Sequence, residues 1–291
     1  MKDPSEGVRD RTGDCGTYWR DRWRRQKCAL LATPGYLDPA QYWAAEKNVA
    51  GLYRQSRDRP SWKEKTAAQL AAMQIAPGSR VLDIGGGSGS LAIPLALQGC
   101  EVTVVEPSPV MRDELAGNLP PDRSVTVIPC RWEEVPEPVP GGPFDAVIAS
   151  YSLAMTDIGE ALRKMEACCR GTVHLFWFLT APSWDRASRD LWPYLHGAEY
   201  PGEPLADCLW QVLFETGTCA GLAVERKPPS CYTAIDEAAE QAFRKLNCST
   251  PRQQEILKAY FSAMLRPGPD GYFLPGPAFG AHIRWSPAQG R

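Results

Sequence analysis

The stretch between residues 80 and 106 restricts the fold more than any other part of the chain. Arg80-Val81-Leu82-Asp83-Ile84 is a short apolar run that ends in Gly85-Gly86-Gly87-Ser88-Gly89. A helical pattern follows from Leu91 to Leu97, closed by Gly99, and Glu101-Val102-Thr103-Val104-Val105-Glu106 reads as a second strand that stops at Pro107. Glycines in the turn let the backbone bend tightly and approach a bulky ligand without side-chain interference. The helix behind them offers free N–H groups to an anionic group. Pro94 lies beyond the first helical position that proline favours, so an irregular first turn is expected there.

The same alternation continues. Val110 to Leu119 reads as a helix, Val125 to Ile128 as a strand, Phe144 to Ser150 as a strand, Ile158 to Cys168 as a helix and Thr172 to Leu179 as a long apolar strand. Buried-type strands alternating with helices argue for an α/β fold, a parallel sheet covered on both faces. Before this core, Pro39 opens a helical stretch with Tyr42, Trp43, Val49, Leu52 and Tyr53, and a second runs from Ser61 to Met73. After it, helices are expected over Ser183 to Leu195, Leu205 to Phe214, Ile235 to Leu246 and Pro251 to Leu265. Strands are expected at Leu222–Val224 and Ala281–Trp285. The expected organisation is a helical N-terminal cap (1–75), a ligand-binding core (76–182) and helical insertions with closing strands of the same sheet (183–291).

Composition narrows the function classes. The 291 residues are 44% hydrophobic and 23% charged, which excludes a disordered or fibrous chain. With 32 Lys+Arg against 34 Asp+Glu the chain has no overall basic field, which disfavours a broad nucleic-acid surface. Residues 9–27 are locally basic and aromatic, and read as a helix docking on the body or, less simply, as a contact for an anionic partner. The N-terminus lacks a signal peptide's apolar core, and no apolar run approaches the ~20 residues of a membrane span. These features read as a soluble, cytoplasmic protein. The ten cysteines form no C-x-x-C pair and no H-E-x-x-H occurs, so reduced thiols and no metal site are expected.

The chemistry points to a nucleoside. Glu106 stands 17 positions after Gly89 (106 − 89), where a carboxylate can accept hydrogen bonds from both ribose hydroxyls. Gly87-x-Gly89-x-x-Ala92 also fits a dinucleotide fingerprint, so a nicotinamide or flavin ligand has to be weighed. Asp83 argues against it: a carboxylate in the cleft repels a pyrophosphate but holds a cationic amino group.

Val81 to Gly89 resembles the first motif of the class I S-adenosylmethionine-dependent methyltransferases, and Val104-Val105-Glu106-Pro107-Ser108-Pro109-Val110-Met111 resembles their second. Pro143 to Ser150 is similar to the fourth strand that borders their methyl-donor site. The resemblance covers residues 76–180. It implies a Rossmann-like, doubly wound mixed sheet in three layers and S-adenosylmethionine as cofactor. It also implies roles for Asp83 and Gly85 at the methionine end, Glu106 at the ribose, and Pro107 and Met111 at the adenine face. Gly86, Gly87 and Gly89 complete the turn, with Ser150 at the end of strand four and Tyr42 as a further wall of the site.

The chain departs from that pattern in three places. Arg131 stands where the family usually has an acid meeting the adenine amino group, and Trp132 is either a stacking surface for the base or ordinary core. Cys169-Arg170-Gly171-Thr172 replaces the usual Pro-Gly-Gly turn, and the segment after Leu179 is long, as expected of a lid that selects the acceptor. His196, in that segment, is the candidate general base, with a packing role as its alternative. His174 and His282 read as structural. Tyr42, Trp43 and Tyr53 either wall a sulfonium or pack as core. Ser150-Tyr151-Ser152-Leu153 lacks the sequence of adenine amino-methylases, and Pro129-Cys130 follows strand three, the wrong place for a cytosine-5 nucleophile. A small-molecule acceptor is the leading reading, with nucleic acid or protein behind it. A non-catalytic S-adenosylmethionine-binding protein and a nicotinamide-dependent oxidoreductase are the alternatives.

Overall fold

The structure, a computed structural model, describes residues 17–54, 57, 59–227, 229–268 and 271–287. The basic residues Arg9 and Arg11 lie outside the described residues. The core strands are β1 (Arg80–Ile84), β2 (Glu101–Val105), β3 (Thr126–Ile128), β4 (Phe144–Ser150), β5 (Cys169–Phe178), β6 (Gly221–Arg226) and, after β7 to β9 described below, β10 (Phe279–Trp285). They form one seven-stranded sheet in the order β3-β2-β1-β4-β5-β10-β6. All pairs from β3 to β5 are parallel, and β10 runs antiparallel to both β5 and β6. The expected mixed α/β sheet is therefore present.

Alternate residues of each strand explain why these runs are almost wholly apolar. In β1 and β2, Val81, Val102 and Val104 enter one buried cluster while Leu82, Ile84 and Val105 enter another. Since side chains on a strand alternate between faces, both faces of the sheet must be covered. In chain order the helices are α1 (Tyr18–Ala32), α2 (Pro39–Trp43), α3 (Glu46–Asn48, continuing into a π-helical turn to Tyr53) and α4 (Pro60–Met73). Then come α5 (Ala92–Leu97), α6 (Pro109–Asn118), α7 (Ile158–Cys168), α8 (Ser183–His196), α9 (Ala206–Glu215), α10 (Ile235–Lys245) and α11 (Pro251–Met264). Met73 of α4, Leu95 of α5 and Leu115 of α6 fill one face. Trp23 of α1, Met165 of α7 and Leu209 of α9 fill the other.

Helix α5 is short because residues 87–91 form turns before Ala92, which leaves Pro94 in the helix's first turn, as expected. After residue 182 the chain builds a separate apolar cluster from Leu191 and Trp192 of α8, Ala239 of α10 and Phe261 of α11. A small antiparallel sheet, β7-β9-β8 (Cys231–Tyr232, Gly271–Phe273, Arg266–Gly268), accompanies it and was not expected. Strands of two or three residues are too short to carry a readable period.

Helix α1 is a docking element in its described part. The Trp23 indole N–H donates to the Met155 carbonyl at 2.8 Å, and the Lys27 ammonium donates to Glu203 at 2.6 Å in a buried pair. Arg20 and Arg24 both reach Asp157, whose own carboxylate accepts from the Glu160 N–H and caps α7. The two guanidinium groups, Arg20 first, hold the Asp157 carboxyl well below the usual carboxylate range. Asp157→Ala removes the cap and both ion pairs; because the ion pairs are partly exposed, the cap dominates and the expected loss is about 0.5–2 kcal/mol. Urea denaturation of the variant checks this, with an unchanged midpoint as the contrary result.

Candidate functional site

The parallel sheet reverses its winding between β1 and β4, and a cleft opens at the carboxyl ends of these strands, where ligands of open α/β sheets bind. Its lining includes Ile84, Gly85 and Gly87 after β1, Glu106, Pro107 and Met111 after β2, Arg131, Trp132 and Glu133 after β3, and Tyr151, Ser152, Ala154 and Met155 after β4. Pro39, Ala40 and Trp43 of α2 close the remaining side. The sheet thus brings together segments that are far apart in the chain.

The glycine turn is shaped by close approach and by left-handed backbone. The Gly85 N–H donates to the Val105 carbonyl at 2.7 Å, and a Cβ on Gly85 would lie 2.4 Å from the Ser152 Cβ. The Ser152 hydroxyl donates to the Ile84 carbonyl and so fixes the strand-four loop against the end of β1. Gly87 has φ +57° and donates its N–H to Glu106 Oε2 at 2.9 Å. Gly86 lies over Asp83, and Gly89 packs on Leu115 and Ile93, so both support the turn from behind.

Two carboxylates define the electrostatics. Asp83 is 2% exposed and its carboxylate has no hydrogen bond from another described residue. Burial, helped by the Glu106 charge, pushes its pKa up to about 7. Glu106 accepts from the Gly87 N–H and, at 2.8 Å, from the Ser108 N–H. Burial raises its pKa, opposed by those two N–H groups. Each carboxylate oxygen still has a lone pair for a further donor. The cleft can therefore hold a cation at Asp83 and hydroxyl groups at Glu106.

Helix α2 is held over the cleft by two long-range contacts. Asp38 accepts from the Gln41 N–H at the start of α2 and pairs with Arg131 at 2.6 Å. The Ser108 hydroxyl donates to the Trp43 carbonyl at 2.8 Å. Arg131, the departure after strand three, thus has its acid supplied by another part of the chain. That pairing joins residues 93 positions apart and had no local signal.

The other sequence candidates fall as follows. Trp132 borders the cleft yet is buried, with its indole N–H donating to the Ala161 carbonyl at 3.2 Å and the Lys164 ammonium over its ring. Ser150 accepts from the Gln69 amide at 2.9 Å and is not among the lining residues. Tyr42 is buried edge-on to Trp43, with the Lys245 ammonium 4.7 Å from its ring centroid, behind the lining rather than in it. His196 contacts the Leu246 carbonyl at 2.8 Å and packs on Trp192, within the separate cluster of the C-terminal helices. His174 and His282 pair with each other at 3.0 Å inside the sheet. Tyr151 and Ser152 were not singled out, although their place immediately after strand four was the available signal. Among the described residues no cluster of three or more His, Cys, Asp or Glu could hold a metal ion. No described helix is long and apolar enough to cross a membrane.

Comparison with known proteins agrees with this geometry. A family model described as a methyltransferase domain matches residues 53–215, more than half of the chain. The chain is 31% identical over 134 residues to the ubiquinone biosynthesis O-methyltransferase of Bradyrhizobium diazoefficiens, covering 44% of this chain and 52% of that one. A 48-residue stretch, 16% of the chain, is 52% identical to part of a 23S rRNA (uracil-C5)-methyltransferase of Halomonas elongata, 10% of that protein. The chain thus spans little more than half, or less, of these curated relatives. Among solved structures it resembles the plantazolicin methyltransferase (TM-score 0.51, 10% identity, 94% of this chain and 100% of that one). These matches give no support to the nicotinamide or non-catalytic readings. By its family match, and with the sheet, glycine turn and paired acids that go with it, the chain belongs to the class I S-adenosylmethionine-dependent methyltransferases.

Proposed function

We propose that this chain transfers a methyl group from S-adenosylmethionine to a small-molecule acceptor, with the donor seated in the cleft between β1 and β4. The observation that carries the reading is the buried Asp83 carboxylate, which accepts no hydrogen bond from a described residue, beneath a glycine turn whose next acid, Glu106, stands at the cleft edge. These residues fit the cofactor: Asp83 suits its ammonium, Glu106 its ribose hydroxyls, and Pro107 with Met111 the flat face of its base. Arg131, paired to Asp38, keeps α2 over the adenosine end. S-adenosylmethionine, when bound, supplies an electrophilic methyl group on a sulfonium.

The protein's share is positioning and exclusion of water, which carry much of the barrier reduction in an in-line displacement. Gly85 allows Ser152 to close on the end of β1, so that Tyr151 and Ser152 face the place where an acceptor would meet the donor. A small molecule is favoured because the site is a cleft roofed by α2 rather than an open basic surface, with Arg20, Arg24 and Lys27 of α1 spent on Asp157 and Glu203.

The test is calorimetry with S-adenosylmethionine and its demethylated product, S-adenosylhomocysteine. Glu106→Ala removes a charge-assisted contact and should weaken both by roughly ten- to a hundredfold. Unchanged titrations with the folded variant contradict the assignment. A methyl-transfer assay across small molecules, RNA and protein then identifies the acceptor class, and transfer to RNA or protein alone contradicts the small-molecule reading.

A further inference from the structure

Beyond the donor cleft, the strand-four loop carries a cluster that the donor's chemistry does not explain. Tyr151 lines the cleft, adopts φ +56°, and buries a hydroxyl that meets hydrogen-bond geometry with no described residue, with the Lys227 ammonium beside it. A positive φ is unusual for a bulky residue, and a buried hydroxyl without a well-formed hydrogen bond costs stability; both persist only where the surroundings impose them. The Lys65 ammonium lies 4.2 Å from the Tyr151 ring centroid and the Lys227 ammonium 5.5 Å from it. Phe178 also packs on Tyr151, at 4.8 Å between ring centroids, and Trp184 stands 5.9 Å from Phe178. The Lys245 ammonium sits between Trp184 (4.6 Å) and Tyr42 (4.7 Å).

The charges in this patch do not balance. Lys227 pairs with Glu225, but neither Lys65 nor Lys245 has an ion pair with any described residue. Burial weakens both ammonium groups, and for Lys65 the nearby Lys227 adds to the effect. Partly buried ammonium groups without an acid are costly, and an incoming anion relieves that cost. Gly280 keeps room for the arrangement, since a Cβ there would lie 2.9 Å from the Tyr151 hydroxyl and 2.6 Å from Lys227 Cε.

We propose that Tyr151, Lys65 and Lys227, with Phe178, Trp184 and Lys245 alongside, form the acceptor subsite and take a small molecule bearing a carboxylate on a flat ring system. The Tyr151 hydroxyl donates to the carboxylate, Lys65 supplies its counter-charge, and the Phe178–Trp184 faces carry the ring. Lys227 is already paired with Glu225, which leaves one unpaired ammonium, Lys65, at the Tyr151 ring, and a single carboxylate charge matches it. The proposal rests on the methyl-transfer reading, because that reading puts the donor against Tyr151.

The probe pair is 2-naphthoate and its neutral amide, 2-naphthamide, titrated into protein saturated with S-adenosylhomocysteine. Wild type should bind the carboxylate about tenfold more tightly than the amide, through charge-assisted hydrogen bonds. Lys65→Met should abolish that preference, and Tyr151→Phe, which removes only a hydroxyl, should weaken the carboxylate several-fold. Lys65→Met, which lies outside the cleft lining, should bind S-adenosylhomocysteine as wild type does. Equal binding of the two probes, no detectable naphthoate binding, or an unaltered preference in both variants overturns the subsite. Loss of S-adenosylhomocysteine binding in Lys65→Met overturns it too, by assigning the lysine to the donor's own carboxylate. Failure of wild type to bind S-adenosylhomocysteine at all overturns instead the donor assignment on which the subsite rests.

Discussion

Gly87→Val is expected to reduce donor affinity by on the order of a hundredfold or more while leaving the fold in place. Three effects act together at this position. The backbone sits at φ +57°, a region that costs a non-glycine residue roughly 1–2 kcal/mol and a β-branched one more. A Cβ would lie 3.3 Å from Met111 Cε, so the two added methyl groups must enter the cleft or displace the methionine that lines it. Any backbone adjustment that relieves this strain also moves the N–H that Glu106 accepts, and so disturbs the second acid of the site. Gly99 provides the control, since it too is left-handed (φ +91°) but has nothing within 4 Å of its missing Cβ. Gly99→Ala should therefore cost some stability and no donor affinity. Calorimetry with S-adenosylhomocysteine, beside far-ultraviolet circular dichroism, separates the two variants. Normal donor binding by Gly87→Val removes the glycine turn from the site.

The strands and the glycine turn were legible because both faces of the sheet are buried, so β1, β2, β4 and β5 had to be apolar almost throughout. Three helix starts are fixed locally in the structure, where Ser108 before Pro109, Asp157 before Ile158 and Thr250 before Pro251 each cap the helix they precede. Gly85, Gly87, Glu106, Pro107 and Met111, expected from their places just after strands one and two, lie together in the cleft lining. What could not be read depends on contacts between distant segments. Arg131 looked like a lost acid because Asp38, its partner, belongs to α2. Tyr42 was read as a candidate wall while its neighbour Trp43 lines the cleft, since a five-residue helix gives too little periodicity to tell which side faces in. The segment after Leu179 reads from sequence as a lid, with His196 as its candidate base. Trp192 and His196 pack together in the cluster of the C-terminal helices, and Trp184, at the opposite end of α8, approaches Phe178, a split that depends on contacts with distant segments.

Donor affinity should fall as pH drops below about 7, by about tenfold per unit once Asp83 is largely protonated. The sign follows from which form each state prefers. Without ligand, burial and the Glu106 charge lift the Asp83 carboxyl from its ordinary value near 3.8 to about 7. A bound ammonium favours the carboxylate, so acidification must be overcome before the donor can bind, and binding below pH 7 releases a proton. The same shift acts on folding in the opposite direction. The folded state keeps Asp83 protonated at pH values where the unfolded chain has released the proton, so its contribution to stability is present below about pH 4 and is lost as pH rises through 7. Donor should offset that loss, and the melting temperature gained with S-adenosylmethionine should be larger at pH 8 than at pH 5.5. Asp83→Asn removes both effects: weaker binding by roughly ten- to a hundredfold at pH 8, and an affinity nearly flat with pH. Glu106 is the other titratable group at the cleft, with its pKa also raised, so Glu106→Gln must be run in parallel. If the pH dependence survives in Asp83→Asn and disappears in Glu106→Gln, the proton belongs to the ribose end. A flat wild-type profile between pH 5.5 and 8 means that Asp83 does not face the donor's charge. A profile lost only in Asp83→Asn puts the cation of the donor at the buried end of β1, with the glycine turn above it and Tyr151 beyond.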